Sequence, residues 1–168
     1  MRVLGPDALR AIDARALAAL LDRRDFVLAI GDGELSSLSA AALLSADYAI
    51  LGASATLQLD TPEAWGAAVW RIGREAFALF LRGDKRLTAN EAHAIGLCDG
   101  IGDDMGDARD WLRGRSEIAL DIGASLIRNR GGDALERAEF ARLFAAGVPQ
   151  EGLRAFLEKR RPSFAGRE

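Results

Sequence analysis

The stretch VLAIGDGELSSLSAAALLSADYAILGASATL, residues Val27 to Leu57, decides the fold. Val27 to Ile30 is apolar without a break and runs into Gly31-Asp32-Gly33, so it reads as a short buried strand stopped by a turn. Ser37 to Leu44 is small and apolar on all sides. A helix of that composition offers no face to water, and it is expected to lie buried against a sheet. Tyr48 to Leu51 and Ala55 to Leu59 come next as two further strands. Strand, glycine turn, buried helix and strand in succession point to the α/β class.

On the N-terminal side, Leu9, Ile12, Ala16 and Leu20 share one helical face, widened by Leu17 and Leu21. The spacing predicts a single amphipathic helix from Asp7 to Leu21. On the C-terminal side, Thr61-Pro62 is a strong helix start, since a threonine hydroxyl accepts from an orphan amide and proline suits the first helical position. That helix is expected to end at Gly73. Phe77, Phe80 and Leu81 mark a short helix stopping near Gly83, and Thr88-Ala89-Asn90-Glu91 is a capping box whose helix stops at Gly96.

Beyond Gly100 the texture changes. Gly102-Asp103-Asp104-Met105-Gly106-Asp107 is polar and glycine-rich, and the remainder of the chain reads as three helices: Ser116 to Arg130, Ala134 to Ala146 and Gln150 to Arg160. Phe140, Leu143 and Phe144 form one apolar stripe, and Leu153, Phe156 and Leu157 another. The expected organisation is therefore a core over residues 1–101 and a helical segment over 102–168.

Composition bounds the function. A chain of 168 residues suits one domain with a small appendage, and 49% apolar with 28% charged residues is ordinary for a soluble globular protein. No apolar run is long enough to cross a bilayer, so no membrane partner is expected. The net charge of −3 is dispersed, with one basic cluster at Lys159-Arg160-Arg161, which argues against nucleic acid as a partner. The single cysteine, Cys98, has no internal partner and reads as a small buried residue. With no basic-then-apolar leader after Met1, a cytoplasmic location is expected. The one histidine, His93, has no second ligand near it in sequence, so a structural role is expected and no metal site. Gly31 and Gly33 lack the spacing of a dinucleotide fingerprint. Trp65, Trp70 and Trp111 read as packing residues of a core or an interface.

Three segments carry a resemblance. ALFLRGDKRLTANEAHAIGLCDGI, Ala78 to Ile101, is similar to the segment of the crotonase superfamily, the enoyl-CoA hydratases and isomerases, in which a helix ends at glycine, a basic turn follows and a capped helix leads to "GLV". EGLRAFLEKRRPSF, Glu151 to Phe164, resembles that family's C-terminal helix and tail. Val27 to Leu57 resembles its strand, glycine turn, buried helix and "CD" strand, with Gly33 and Asp47 in the expected places. The resemblance implies a crotonase-type α/β core of ββα units with a C-terminal helical oligomerisation segment. It also implies a short member without most of the family's N-terminal region, of which Met1 to Asp7 is a candidate remnant.

What the resemblance implies for function is an acyl-CoA thioester-binding protein that holds an enolate oxygen with backbone amides, without a separate cofactor because coenzyme A belongs to the substrate. The family's Gly-Gly-Gly stretch aligns with Ser37-Leu38-Ser39, which makes the Leu38 amide the inherited oxyanion donor. The first family glutamate aligns with Ala41 and the second with Thr61, beside which Asp60 and Glu63 are the candidate acids. Asp60 and Glu63 have an alternative reading, as the end of a strand and the dipole-complementing first turn of a helix. Glu34 faces either the pocket or solvent. Lys159 and Arg160 align with the family's CoA-phosphate contact, or they complement a helix C-terminus. The family also implies a homo-oligomer, a trimer or hexamer. Against the enzyme stands a second reading, a non-catalytic crotonase-like subunit serving as an oligomerisation or partner-binding module.

Overall fold

The computed structural model describes residues 1–83, 85–102, 112, 115–129 and 132–166. Trp111 and residues 103–107 of the glycine-rich run lie outside the described residues. The chain divides into two compact units: Arg2–Arg23 with Val27–Ala108, and Met1 and Arg24–Phe26 with Arg109–Glu168.

The larger unit holds two sheets. In the first, β1 (Arg2–Leu4), β2 (Val27–Gly31), β4 (Tyr48–Leu51) and β7 (Gly100–Ile101) lie in the order β1-β2-β4-β7, every pair parallel. In the second, β3 (Glu34–Leu35) runs parallel to β5 (Thr56–Gln58), which pairs antiparallel with β6 (Arg86–Thr88). Two strands of the first sheet hand the chain to the second and then to a helix: β2, β3 and α3 (Ser37–Ser45), then β4, β5 and α4 (Pro62–Ile72). This is the ββα unit, used twice. As its composition requires, α3 is buried all round, with Ala40 to Leu44 in the core beside Val27, Leu35, Leu51 and Leu57.

The strands β4 and β7 are set in register by the same device. Asp47, just before β4, donates its N–H to the Val27 carbonyl (2.9 Å) and accepts the Val27 N–H on Oδ2 (2.8 Å). Asp99, just before β7, does the same with Ala49, at 2.8 and 2.7 Å. An arginine meets each carboxylate: Arg23 lies 3.0 Å from Asp47, and Arg71 lies 3.0 Å from Asp99. Both arginines also donate to carbonyls at the end of α3, Arg23 to Ser45 (2.8 Å) and Arg71 to Leu44 and Ala46 (both 2.8 Å). Cations there balance the negative end of the helix dipole.

The single helix expected from Asp7 to Leu21 is two, α1 (Pro6–Arg10) and α2 (Ala14–Leu21). Asp13 causes the break, because its carboxylate accepts the Ala16 N–H at 2.7 Å and so starts a new helix inside the apolar repeat. Thr61 caps α4 and Gly73 (φ 59°) ends it, and α5 (Arg74–Arg82) stops at Gly83, in the left-handed conformation at φ 76°. The capping box on α6 (Ala89–Ala94) is formed in both directions, with Gly96 at φ 81° two residues beyond. Trp65 meets the Phe80 ring edge to face at 5.3 Å, whereas Trp70 is 47% exposed.

The smaller unit contains α7 (Glu117–Arg128), α8 (Asp133–Ala145) and α9 (Val148–Leu157). Arg24 and Phe26 are held to it by Arg128, whose guanidinium donates to the Arg24 carbonyl (2.8 Å), and by Asp121, which accepts the Phe26 N–H (2.6 Å). Its apolar stripes face out: no residue of α8 is buried, and Phe140, Phe144, Leu153, Phe156 and Leu157 are all exposed. No helix among the described residues is long and apolar enough to cross a membrane.

Candidate active site

The site is built on the first turn of α3. Gly31, the last residue of β2, lets the chain pass tightly beneath that helix: a Cβ there would come 2.8 Å from Leu35 Cδ1 and 2.9 Å from Leu43 Cδ1. Gly33 then takes φ 68°, and β3 leads into Ser36, the N-cap. Ser36 Oγ accepts the Ser39 N–H at 3.4 Å, and its carbonyl accepts the Ala40 N–H at 2.7 Å. The Leu38 N–H has no acceptor among the described residues, so it remains one of the orphan donors at the positive end of the helix. Its side chain is half-buried against the core.

The serines around Leu38 fasten this turn to two other elements. Ser39 Oγ donates to the Leu9 carbonyl at 2.9 Å, so α1 lies beside the start of α3. The Met1–Asp7 segment therefore contributes β1 and the first residues of α1. Ser37, buried, donates its hydroxyl to Asp60 Oδ1 and accepts the Asp60 N–H at 3.2 Å. Asp60 itself is exposed and immediately precedes the Thr61 cap of α4. Of the two candidate acids, the structure ties Asp60 to the residue next to Leu38. Glu63, exposed in the first turn of α4, stands where an acid complements the dipole.

Ala41 is buried in the core one turn further along α3 and offers no polar atom of its side chain. Glu34 on β3 is ion-paired with Arg86 on β6, its side chain largely exposed. His93 Nδ1 lies 3.2 Å from the Cys98 carbonyl, a local contact within the α6 turn. Among the described residues no group of histidine, cysteine or carboxylate side chains forms a metal-binding cluster. Cys98 is buried, and burial first of all pushes its thiol up to about 11, with Arg71 opposing and Asp99 adding to the shift.

In the helical unit, Lys159 follows the end of α9 with φ 52°, exposed and with no partner for its ammonium among the described residues. Arg160 is committed: its guanidinium donates to both oxygens of buried Glu151 (2.7 and 3.3 Å) and to Glu158 (2.6 Å). Glu151 also accepts the Ser163 N–H at 2.8 Å, so this cluster anchors the C-terminal tail.

Sequence reasoning passes over Ser37 and Ser39. Three serines ahead of an apolar helix announce a cap, but not which of them reaches to a distant element.

This arrangement of parallel strands, repeated ββα units and a buried helix is the crotonase fold, shared with enoyl-CoA hydratase/isomerase proteins. Among solved structures, the chain is similar to DspI of Pseudomonas aeruginosa, with 27% identity and a TM-score of 0.70 over 88% of this chain and 64% of that one. An enoyl-CoA hydratase/isomerase from Marinobacter aquaeolei matches at 23% identity and TM-score 0.67, over 90% of this chain and 65% of that one. One from Cupriavidus metallidurans CH34 matches at 20% identity and TM-score 0.73, over 98% and 79%. The chain thus spans just under two thirds of the length of the first two. No protein-family model and no curated protein matches the sequence.

Proposed function

We propose that this chain is an enoyl-CoA hydratase/isomerase homologue that binds an acyl-CoA thioester at the first turn of α3. The observation that carries the reading is the Leu38 N–H, left without an acceptor among the described residues at a helix N-terminus, with a carboxylate, Asp60, hydrogen-bonded to the residue before it. A thioester oxygen placed on that amide gains negative charge as an enolate forms, and a fixed N–H at the positive end of a helix stabilises it. Asp60 is the candidate base. With alanine at position 41, chemistry here uses one carboxylate, as in proton abstraction beside a carbonyl, rather than the two acids of hydration. In the helical unit taken by itself, Lys159 is the candidate contact for an anionic CoA phosphate, and Arg160 fixes the tail beside it. No cofactor beyond the thioester's own coenzyme A enters this reading.

Calorimetric titration with a panel of acyl-CoA thioesters tests it. Binding of a thioester supports it, and no heat with any thioester refutes it.

A second reading is favoured by the exposed stripes of the helical unit. Ile127, Leu135, Phe140, Phe144, Leu153, Phe156 and Leu157 are exposed at 38–79%. At roughly 200 Å² per aromatic side chain and somewhat less per aliphatic one, they offer apolar area of the order needed by one partner of a stable interface, about 800 Å². We infer a homo-oligomer, a trimer or hexamer, in which these faces are covered; in the non-catalytic alternative this assembly is the chain's whole role. Light scattering at micromolar concentration tests assembly, and a monomer there counts against it.

A further inference from the structure

We propose that Ser37 is a positioning residue that selects Asp60, not Glu63, as the base. This rests on the acyl-CoA reading above and deepens it. A hydroxyl carries one donor and two acceptor sites. Ser37 uses its donor on Asp60 Oδ1 and an acceptor site on the Asp60 N–H (3.2 Å), so one side chain fixes both the backbone and the carboxylate of the same residue. Ser37 is itself held rigidly: it is the first residue of α3, and its side chain is buried. Asp60 is exposed and would otherwise sample several rotamers in the short link between β5 and α4. The lock occupies Oδ1 and leaves Oδ2 of an ordered carboxylate to act.

The placement matters because Ser37 is the residue before Leu38. One hydrogen bond and one peptide step join the base to the amide that receives the oxygen. Glu63 has no such tie among the described hydrogen bonds and sits in the first turn of α4. In the step this geometry serves, Asp60 Oδ2 takes a proton from the carbon next to the thioester carbonyl. The C–H electron pair becomes the enolate, its oxygen negative against the Leu38 N–H, and the proton returns to that carbon or to the one two bonds further on. No electrons are gained or lost overall. Ser37 takes no proton and touches no reacting atom. The sequence departs here from the family's glycine stretch, and glycine has no side chain with which to make this tie.

The experiment is deuterium uptake from D₂O into the acyl carbons of butyryl-CoA and a 3-enoyl-CoA, read by NMR, with thioester affinity measured in parallel by calorimetry. Asp60→Asn should abolish uptake, and Glu63→Gln should leave it within about twofold. Ser37→Ala should lower kcat about 10- to 100-fold, the scale of a misplaced base, with KM nearly unchanged, and Ser37→Thr should restore most of it because the hydroxyl returns. Uptake by Ser37→Ala at the wild-type rate overturns the proposal. So does a rise in KM at constant kcat, or a loss in Glu63→Gln equal to that in Asp60→Asn. Wild-type protein that binds thioesters but exchanges nothing overturns it while leaving the binding reading intact; wild-type protein that binds none overturns both. Should Ser37→Ala fail to fold, the Asp60→Asn and Glu63→Gln pair and the Ser37→Thr variant still decide the matter.

Discussion

Replacing Asp47 by alanine tests the physics that fixes the first ββα unit. In the folded chain the Asp47 side chain is 11% exposed and that of Arg23 only 2%, and one carboxylate oxygen takes both the Arg23 guanidinium (3.0 Å) and the Val27 N–H (2.8 Å). Removing the carboxylate takes away the counter-charge of a buried cation and the acceptor of the first amide of β2. Breaking a buried pair from one side costs about 3–5 kcal/mol. Asp99 provides an internal control, since it holds Arg71 and Ala49 in the same way but with its side chain 33% exposed. Water replaces part of what is lost there, and Asp99→Ala should cost about 1–2 kcal/mol. Urea unfolding monitored by the fluorescence of Trp65 and Trp70 measures both. At about 2–4 °C per kcal/mol the Asp47 variant should also melt on the order of 10 °C lower. A loss below about 1 kcal/mol for Asp47→Ala, or one no larger than that of Asp99→Ala at unchanged denaturant slope, refutes the argument that burial sets the value of these pairs.

Gly31→Ala should destabilise the protein by about 1–3 kcal/mol, because the new methyl meets Leu35 and Leu43 inside 3 Å in a packed core; a stability equal to wild type in the same urea assay would mean that both leucines can step aside. Cys98, its thiol pushed up to about 11 from an ordinary value near 9 by burial, favours the protonated folded state. Its contribution to stability is complete below pH 9 and is lost as the pH rises from there through about 11. At pH 8 an aromatic disulfide reagent should therefore react only as fast as the chain unfolds, and labelling at the rate of a free thiol would contradict this.

Much of the fold is legible because local chemistry repeats it. Glycine stops at Gly73 and Gly83, the threonine caps at Thr61 and Thr88, and the apolar surface of Ser37 to Leu44 can all be read from the sequence, since capping and burial depend on neighbours along the chain. The break between α1 and α2 escapes such a reading because Asp13 lies inside an unbroken apolar repeat, and periodicity outweighs a single cap. The strands β1, β3, β6 and β7 have two or three residues each, too few for any alternation to register.

At the candidate site, sequence by itself determined the chemical types available: carboxylates at 60 and 63, alanine at 41, a basic C-terminal cluster and, through the family resemblance, the Leu38 amide as the inherited donor. Tertiary structure alone decided how they are spent. It ties Asp60 to Ser37, 23 residues away, and consumes Arg160 on Glu151 and Glu158. It sets Arg23 and Arg71 on the end of α3. The physical reason is that a hydrogen bond or ion pair depends on distance in space. Residue type fixes what a side chain can offer, and only the packed fold fixes which partner comes within about 3 Å of it.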